Sequence, residues 1–239
     1  MNDHIKKNYG KSFYGDADNR KRNAHTVLSI VFDNVLKPKS LADVGCGLGH
    51  WLSVANKDFG IDKIMGVDGN YVQKENFLIP WENFVRHNLE NELKVDDHFD
   101  LCISIETAEH LPEEKAGLFV GTLTSLADVV LFSGAAPFQK GVHHLNENTP
   151  SYWASKFAEK DYVCFDIIRD MLWDIDDVNC IYPQNLLLFV KKGKTEFLED
   201  KGYKPTEKPQ LKYHPGYVHR RLTLEGKGPI KRILRKLAY

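Results

Sequence analysis

The stretch Leu41-Ala42-Asp43-Val44-Gly45-Cys46-Gly47-Leu48-Gly49-His50-Trp51 decides the fold. A short, mostly apolar run breaks into alternating glycines, and a helical pattern begins at His50, which reads as strand, loop and helix. Glycines let the backbone turn sharply and approach a ligand with no Cβ in the way, and the next helix offers unpaired N–H groups to an anionic end. Such a loop is a nucleotide cradle. The dinucleotide fingerprint sets its third glycine three residues after the second, but that position is His50 and the third glycine comes early, at Gly49. The spacing departs from the NAD pattern and disfavours an NAD(P)-dependent reductase.

The 239 residues suit one α/β domain with a full core and a small appendage. Hydrophobic content of 42% and charged content of 27% are those of a soluble globular chain, and no apolar run reaches the length of a membrane span. The N-terminus lacks the apolar stretch of a secretory signal, so a cytoplasmic location is expected. Cys46, Cys102, Cys164 and Cys180 are scattered with no Cys-x-x-Cys pair, which argues against a zinc ribbon or a disulfide framework. The net charge of −1 is uneven: from Pro215 onward seven basic residues face one acid, Glu225, so the tail carries +6 and the rest −7. A general nucleic-acid surface is not indicated, and no nucleic-acid partner is expected.

Outward from the loop, apolar residues at helical spacing predict a helix over Asn23 to Leu36, and strand one covers Ser40 to Val44. A helix is expected from His50 to Lys57, and strands at Lys63 to Val67, Phe84 to Arg86, Phe99 to Ile105 and Asp128 to Ser133. Leu118 to Leu126 reads as a helix, as does Thr149 to Lys160, capped by Thr149 with Pro150 in its first turn. Strands near Val163 to Ile167 and Asn185 to Val190 complete seven. Alternating strands and helices imply right-handed βαβ units, a doubly wound Rossmann-like α/β sheet, and a ligand crevice at the strands' carboxyl ends. Two parts are expected: a domain over 1–193, including an N-terminal arm, and a basic arm over 194–239. Residues 229–239 set Ile230, Ile233, Leu234 and Leu237 on one helical face with cations opposite, a pattern that fits an anionic membrane surface, the acidic body, or a partner subunit in a homo-oligomer.

The spacing Gly-x-Gly-x-Gly behind Asp43 resembles the first motif of class I S-adenosylmethionine (SAM) dependent methyltransferases. The segment Phe99 to Pro112, with Ser104-Ile105-Glu106-Thr107-Ala108-Glu109-His110-Leu111-Pro112 at its end, resembles the fourth-strand motif of O-methyltransferases of the ubiquinone-pathway type. The Asn/Asp-Pro-Pro-aromatic sequence usual in enzymes that methylate exocyclic amines of bases is absent here. Gly141-Val142-His143-His144-Leu145-Asn146-Glu147-Asn148, with Tyr152, Trp153, Arg169, Trp173, Tyr182, Gln184 and Asn185, resembles bacterial methyltransferases of sugar and surface-polysaccharide biosynthesis. These features span about residues 40 to 191.

The resemblance implies a seven-stranded sheet, mostly parallel with an antiparallel last strand, and a SAM site. Tyr14 would lie on a lid arm; Asp43, Gly45, Gly47 and Gly49 form the loop; Asp68 and Gly69 end strand two, where a carboxylate can accept from both ribose hydroxyls; Ile105 ends strand four. Asn88 and Leu89 stand where the family usually has Asp-Leu at the adenine, and an amide oxygen can still accept from the adenine amino group.

An alcohol acceptor needs help losing its proton. Glu106, Glu109 and His110 fall at i, i+3 and i+4, on one face if the segment is a helical turn. With His144 they resemble the metal centre of small-RNA 2′-O-methyltransferases, which implies Mg²⁺ or another divalent ion that lowers the pKa of the attacking hydroxyl. Without a metal, His144, His143 or His110 would act as general base. The plainer reading makes both glutamates helix N-terminal acids favoured by the dipole. The activity expected is O-methylation of a sugar, nucleotide sugar or polysaccharide intermediate. Alternatives are a quinone or phenolic acceptor, or a catalytically silent SAM-binding protein.

Overall fold

All five residues of β1 (Ser40–Val44) are buried, as a strand covered on both faces requires. In the computed structural model, which describes residues 17–224, β1 pairs in parallel with β2 (Lys63–Asp68) on one side and β4 (Leu101–Ser104) on the other. β3 (Phe84–Arg86) extends the sheet beyond β2, and β5 (Val129–Phe132) extends it beyond β4, again in parallel. The remaining strands are β6 (Tyr162–Phe165) and β7 (Leu187–Lys191), and the order is β3-β2-β1-β4-β5-β7-β6. β7 runs antiparallel to both neighbours, so the last strand is the reversed one. The order reverses direction beside β1, which opens the crevice at the carboxyl ends of β1 and β4.

Side chains alternate across each strand, and the two cores follow from that period. Leu41, Leu101, Ile103, Leu131 and Leu188 face one side, where α1 (Ala17–Asn34), α2 (His50–Phe59) and α5 (Ile168–Leu172) contribute Val27, Leu28, Leu52 and Leu172. Ala42, Val44, Cys102, Val130, Phe132 and Phe189 face the other, covered by α3 (Ala116–Leu126) and α4 (Pro150–Ala158) through Phe119, Leu123 and Phe157. The Phe157 and Phe189 rings stack at 3.8 Å, and Trp153 lies against Phe132 at 4.9 Å. Trp153 is therefore part of the core.

The expected boundaries differ from the observed ones mainly at helix starts and strand ends. α1 begins six residues before Asn23, because its first turns present polar residues while Asn23 itself is buried and its Oδ1 accepts from the Asn179 N–H at 2.7 Å. β4 is shorter than the apolar run, with Phe99 joined to Ala127 by an isolated bridge. Thr149 caps α4 by accepting from the Tyr152 N–H at 3.2 Å. α6 (Ile181–Asn185) leads into β7, and α7 (Glu196–Glu199) follows it.

The chain after α7 runs without helix or strand until α8 (Pro215–Leu224). It lies on the body: Thr206 N–H donates to the Cys164 carbonyl at 2.7 Å, and the Lys201 ammonium donates to the carbonyls of Asn34 and Val35. The fully buried Arg169 pairs with Asp166 and donates to the carbonyls of Gln184 and Gln210, tying this segment to α5 and α6. All four cysteines are free thiols. No helix among the described residues is long and apolar enough to cross a membrane. Tyr14 and the amphipathic pattern at 229–239 lie outside the described residues.

Candidate active site

Three glycines take left-handed φ in the loop after β1: 87° at Gly45, 53° at Gly47 and 79° at Gly49. A β-carbon would be strained at each, and at Gly45 it would also collide with the Thr107 side chain from the β4 end. The loop is thereby pressed against the segment that carries the candidate acid and base groups.

The cavity beside this loop has a volume of about 410 Å³. Asp43, Gly45, Gly47, Asp68, Gly69, Asn88, Leu89 and Ile105 all line it. Gly49 caps α2 and does not line the cavity itself. The Asp68 carboxylate is buried and accepts from the Gly47 and Gly69 N–H groups, each at 2.6 Å, and from the Tyr71 hydroxyl. Burial raises its pKa against the lowering effect of those three donors. Asp43 is 1% exposed, one of its oxygens has no hydrogen-bond partner, and burial with the nearby Asp68 charge pushes its pKa well up. The Asn88 amide oxygen accepts from the Glu90 N–H at 3.2 Å and retains a second lone pair for a ligand.

Sequence reading missed Arg20 of α1 and Tyr71, which also line the cavity. Burial, then Arg20, lowers the pKa of His50, whereas burial and the Glu106 charge raise that of Tyr182 against the lowering effect of Arg20. Nothing local in the sequence distinguishes this arginine from other polar residues on α1; only the packing of α1 beside α2 brings it to the crevice.

The acceptor end departs from the expected helical turn. Glu106 has φ of 50°, and a short 3₁₀ turn over Ala108–His110 follows, so Glu106 does not share one face with Glu109 and His110. Its carboxylate accepts from the Gln139 amide at 2.8 Å and the Asn185 amide at 2.9 Å, and its own N–H donates to Ser133 Oγ. Among the described residues, the group with ligand atoms mutually within 4.8 Å is Glu109, His110 and His144.

The loop after β5 delivers the histidines, stitched down where the Leu145 and Asn146 N–H groups donate to the Glu109 carbonyl at 2.7 and 3.0 Å. The bond from His110 Nδ1 to the His143 carbonyl is 3.3 Å, and that from His144 Nδ1 to the Glu147 carboxylate is 2.7 Å. Both acceptors demand an Nδ1–H, and in the neutral form of each ring Nε2 then carries the lone pair. His144 Nε2 lies 4.0 Å from the Glu109 carboxylate. Glu109 is 1% exposed, one of its oxygens has no hydrogen-bond partner, and burial together with Glu106 raises its pKa well above the usual range. Burial, then His144, lowers the pKa of His110. His110 and His143 line the same cavity as the glycine loop.

Fold and site together define a class I SAM-dependent methyltransferase. The chain belongs to the family described as "Methyltransferase domain", whose family model matches residues 16–180. Among solved structures, the methyltransferase domain of bacterial CtHen1 is 24% identical, with a TM-score of 0.51 over 71% of this chain and 98% of that one. Magnesium protoporphyrin IX methyltransferase from Synechocystis PCC 6803, solved with bound S-adenosylhomocysteine (SAH), is 17% identical, with a TM-score of 0.53 over 73% and 84%. Streptomyces venezuelae DesVI is 13% identical, with a TM-score of 0.55 over 80% and 99%. At these identities the likeness shows the fold. No curated protein matches the sequence.

Proposed function

We propose that this chain transfers the methyl group of SAM to a hydroxyl of a small polar acceptor, a sugar, nucleotide sugar or glycan intermediate. The observation that carries the reading is the Glu109, His110 and His144 group beside the cavity that the glycine loop and Asp68 line. Displacement from a sulfonium needs the acceptor oxygen, methyl carbon and sulfur in line, with the oxygen unprotonated. Asp68 would take the ribose hydroxyls, one of them replacing the Tyr71 hydroxyl, and Arg20 would take the cofactor's carboxylate. His110, Glu106 and Tyr182 on the cavity wall would face the acceptor.

The residues fit a divalent metal: a buried carboxylate with an orphaned oxygen and two imidazoles whose Nδ1–H bonds orient their Nε2 lone pairs. Glu109, His110 and His144 would hold it, and when bound it would lower the pKa of the attacking hydroxyl. Two imidazoles with one carboxylate suit a transition ion better than Mg²⁺. A second reading needs no metal: the lowered pKa of His110 keeps it neutral and ready to accept the hydroxyl proton.

Methyl transfer from labelled SAM to a panel of sugars, nucleotide sugars and phenols, before and after exhaustive chelation, separates these. Transfer to hydroxylated sugars, lost on chelation and restored by a divalent ion, supports the first reading. Chelation-resistant transfer that fails in His110→Ala supports the second. Transfer to phenols alone contradicts the sugar acceptor, and no transfer to any hydroxyl contradicts both readings.

A further inference from the structure

Among the described residues seven large hydrophobic side chains are exposed, and six of them lie on two stretches of chain that touch: Phe138, Val142 and Leu145 on one, Leu211, Tyr213 and Val218 on the other. The Tyr213 hydroxyl donates to the Pro137 carbonyl at 2.7 Å, and the Tyr217 hydroxyl to the carbonyls of Phe138 and Gln139 at 3.2 and 3.0 Å. Phe138 and Val142 are the most exposed, at 77% and 68%. Phe138, Lys140 and His143 hold left-handed φ of 64°, 51° and 59°, an arrangement that costs energy for side-chain-bearing residues and fixes the loop's outward shape.

The charge carried by the two stretches themselves has one sign. Residues 134–146 and 208–224 contain no aspartate or glutamate, yet hold Lys140, Lys208, Lys212, Arg220 and Arg221. From the elements packed against them, the Asp170 carboxylate of α5 pairs with Lys212, and the Glu147 carboxylate bonds His144. Arg221, Glu147 and Arg220 all act electrostatically on the Tyr217 hydroxyl, and Glu147 acts on that of Tyr213 as well, so two cations and one acid border the apolar residues. Beyond Leu224 the sequence adds Lys227, Lys231, Arg232, Arg235 and Lys236 against Glu225 alone.

An apolar patch of this extent on a soluble protein marks a contact surface, and cations around it select an anionic one. We propose that this face seats on an anionic lipid bilayer, with Phe138 and Val142 at the headgroup boundary and the arginines over the phosphates. Leu145 and His143 line the catalytic cavity as well, so seating turns the cavity mouth toward lipid. Resting on the methyl-transfer reading, that orientation favours, among those acceptors, a glycan intermediate held at the bilayer on a lipid carrier over a free sugar.

The test sediments the full chain with vesicles of phosphatidylcholine alone and of phosphatidylcholine mixed with phosphatidylglycerol. Phe138→Ser/Val142→Ser and Arg220→Ser/Arg221→Ser variants run alongside, and SAH binding is measured on every preparation. The parent chain pellets only with the anionic vesicles; each double variant loses about tenfold or more in partitioning and keeps its SAH affinity. A parent chain that stays in solution with both vesicle types, or an apolar double variant that pellets as well as the parent, overturns the proposal. So does a parent dimer that ignores vesicles and is split by Phe138→Ser/Val142→Ser, because a second copy then covers the face. Vesicle binding with no SAH binding would refute the methyl-transfer reading and leave the membrane face standing.

Discussion

Asp43 and Asp68 are two buried carboxylates on adjoining strands; burial raises the pKa of both, and the Asp68 charge raises that of Asp43 further. A folded pKa raised above the unfolded value of about 3.9 adds stability below that value, which is lost as pH rises through the folded pKa. The cradle is thus less stable at neutral pH than in mild acid, as a site built for a cationic ligand should be. Asp43→Asn is expected to raise the melting temperature of the ligand-free protein by a few degrees, equivalent to about 1 kcal/mol, while weakening SAH binding; calorimetry reads both. Gly141 makes a comparable point for the histidines. A β-carbon there would strike the His144 imidazole, so Gly141→Ala should displace that ring and reduce methyl transfer by about a hundredfold with SAH affinity unchanged. Unchanged turnover would remove His144 from the site.

Elements differ in how far sequence announces them. β1 and β3 fall on the residues expected from the sequence, β1 as a fully buried apolar run and β3 as a half-buried strand at the sheet edge. The Glu106 to His110 motif was legible in composition but not in shape. An i, i+3, i+4 spacing assumes a continuous helix, whereas the chain bends at Glu106, where the Thr107 side chain fits against Gly45. The amide network behind it was less legible still: Gln139 and Asn185 reach Glu106 across long sequence separations, and Gln184 joins them by donating from its side-chain amide to Gln139 Oε1 at 3.2 Å. Tertiary packing alone brings these polar residues together. Asn185→Leu would leave the half-buried Glu106 carboxylate short of a donor and lower stability by about 1 kcal/mol, read as a shifted denaturation midpoint. An unshifted midpoint would show that solvent satisfies Glu106 instead.

Across the whole molecule, the segment after β7 works as a brace for the loop that carries His143 and His144. Tyr213 and Tyr217 hold the carbonyls at Pro137, Phe138 and Gln139, and Gln210 receives a bond from the buried Arg169. The basic composition of this stretch was plain in the sequence, but its role was not, since irregular chain carries no periodicity to reveal what it touches. A chain ending at Gly202 should keep its sheet yet expose residues 137–145 to protease much faster than the full chain; equal cleavage rates would count against the brace.

On the proposed reading, the loop opened by Gly45, Gly47 and Gly49 holds SAM rather than a dinucleotide, with Asp68 on the ribose. Calorimetric titration of the full chain with SAH and, separately, NADH distinguishes the two. One saturable SAH site, weakened at least about tenfold in Asp68→Ala, and no heat of binding from NADH are expected. Saturable NADH binding with no response to SAH would contradict that reading.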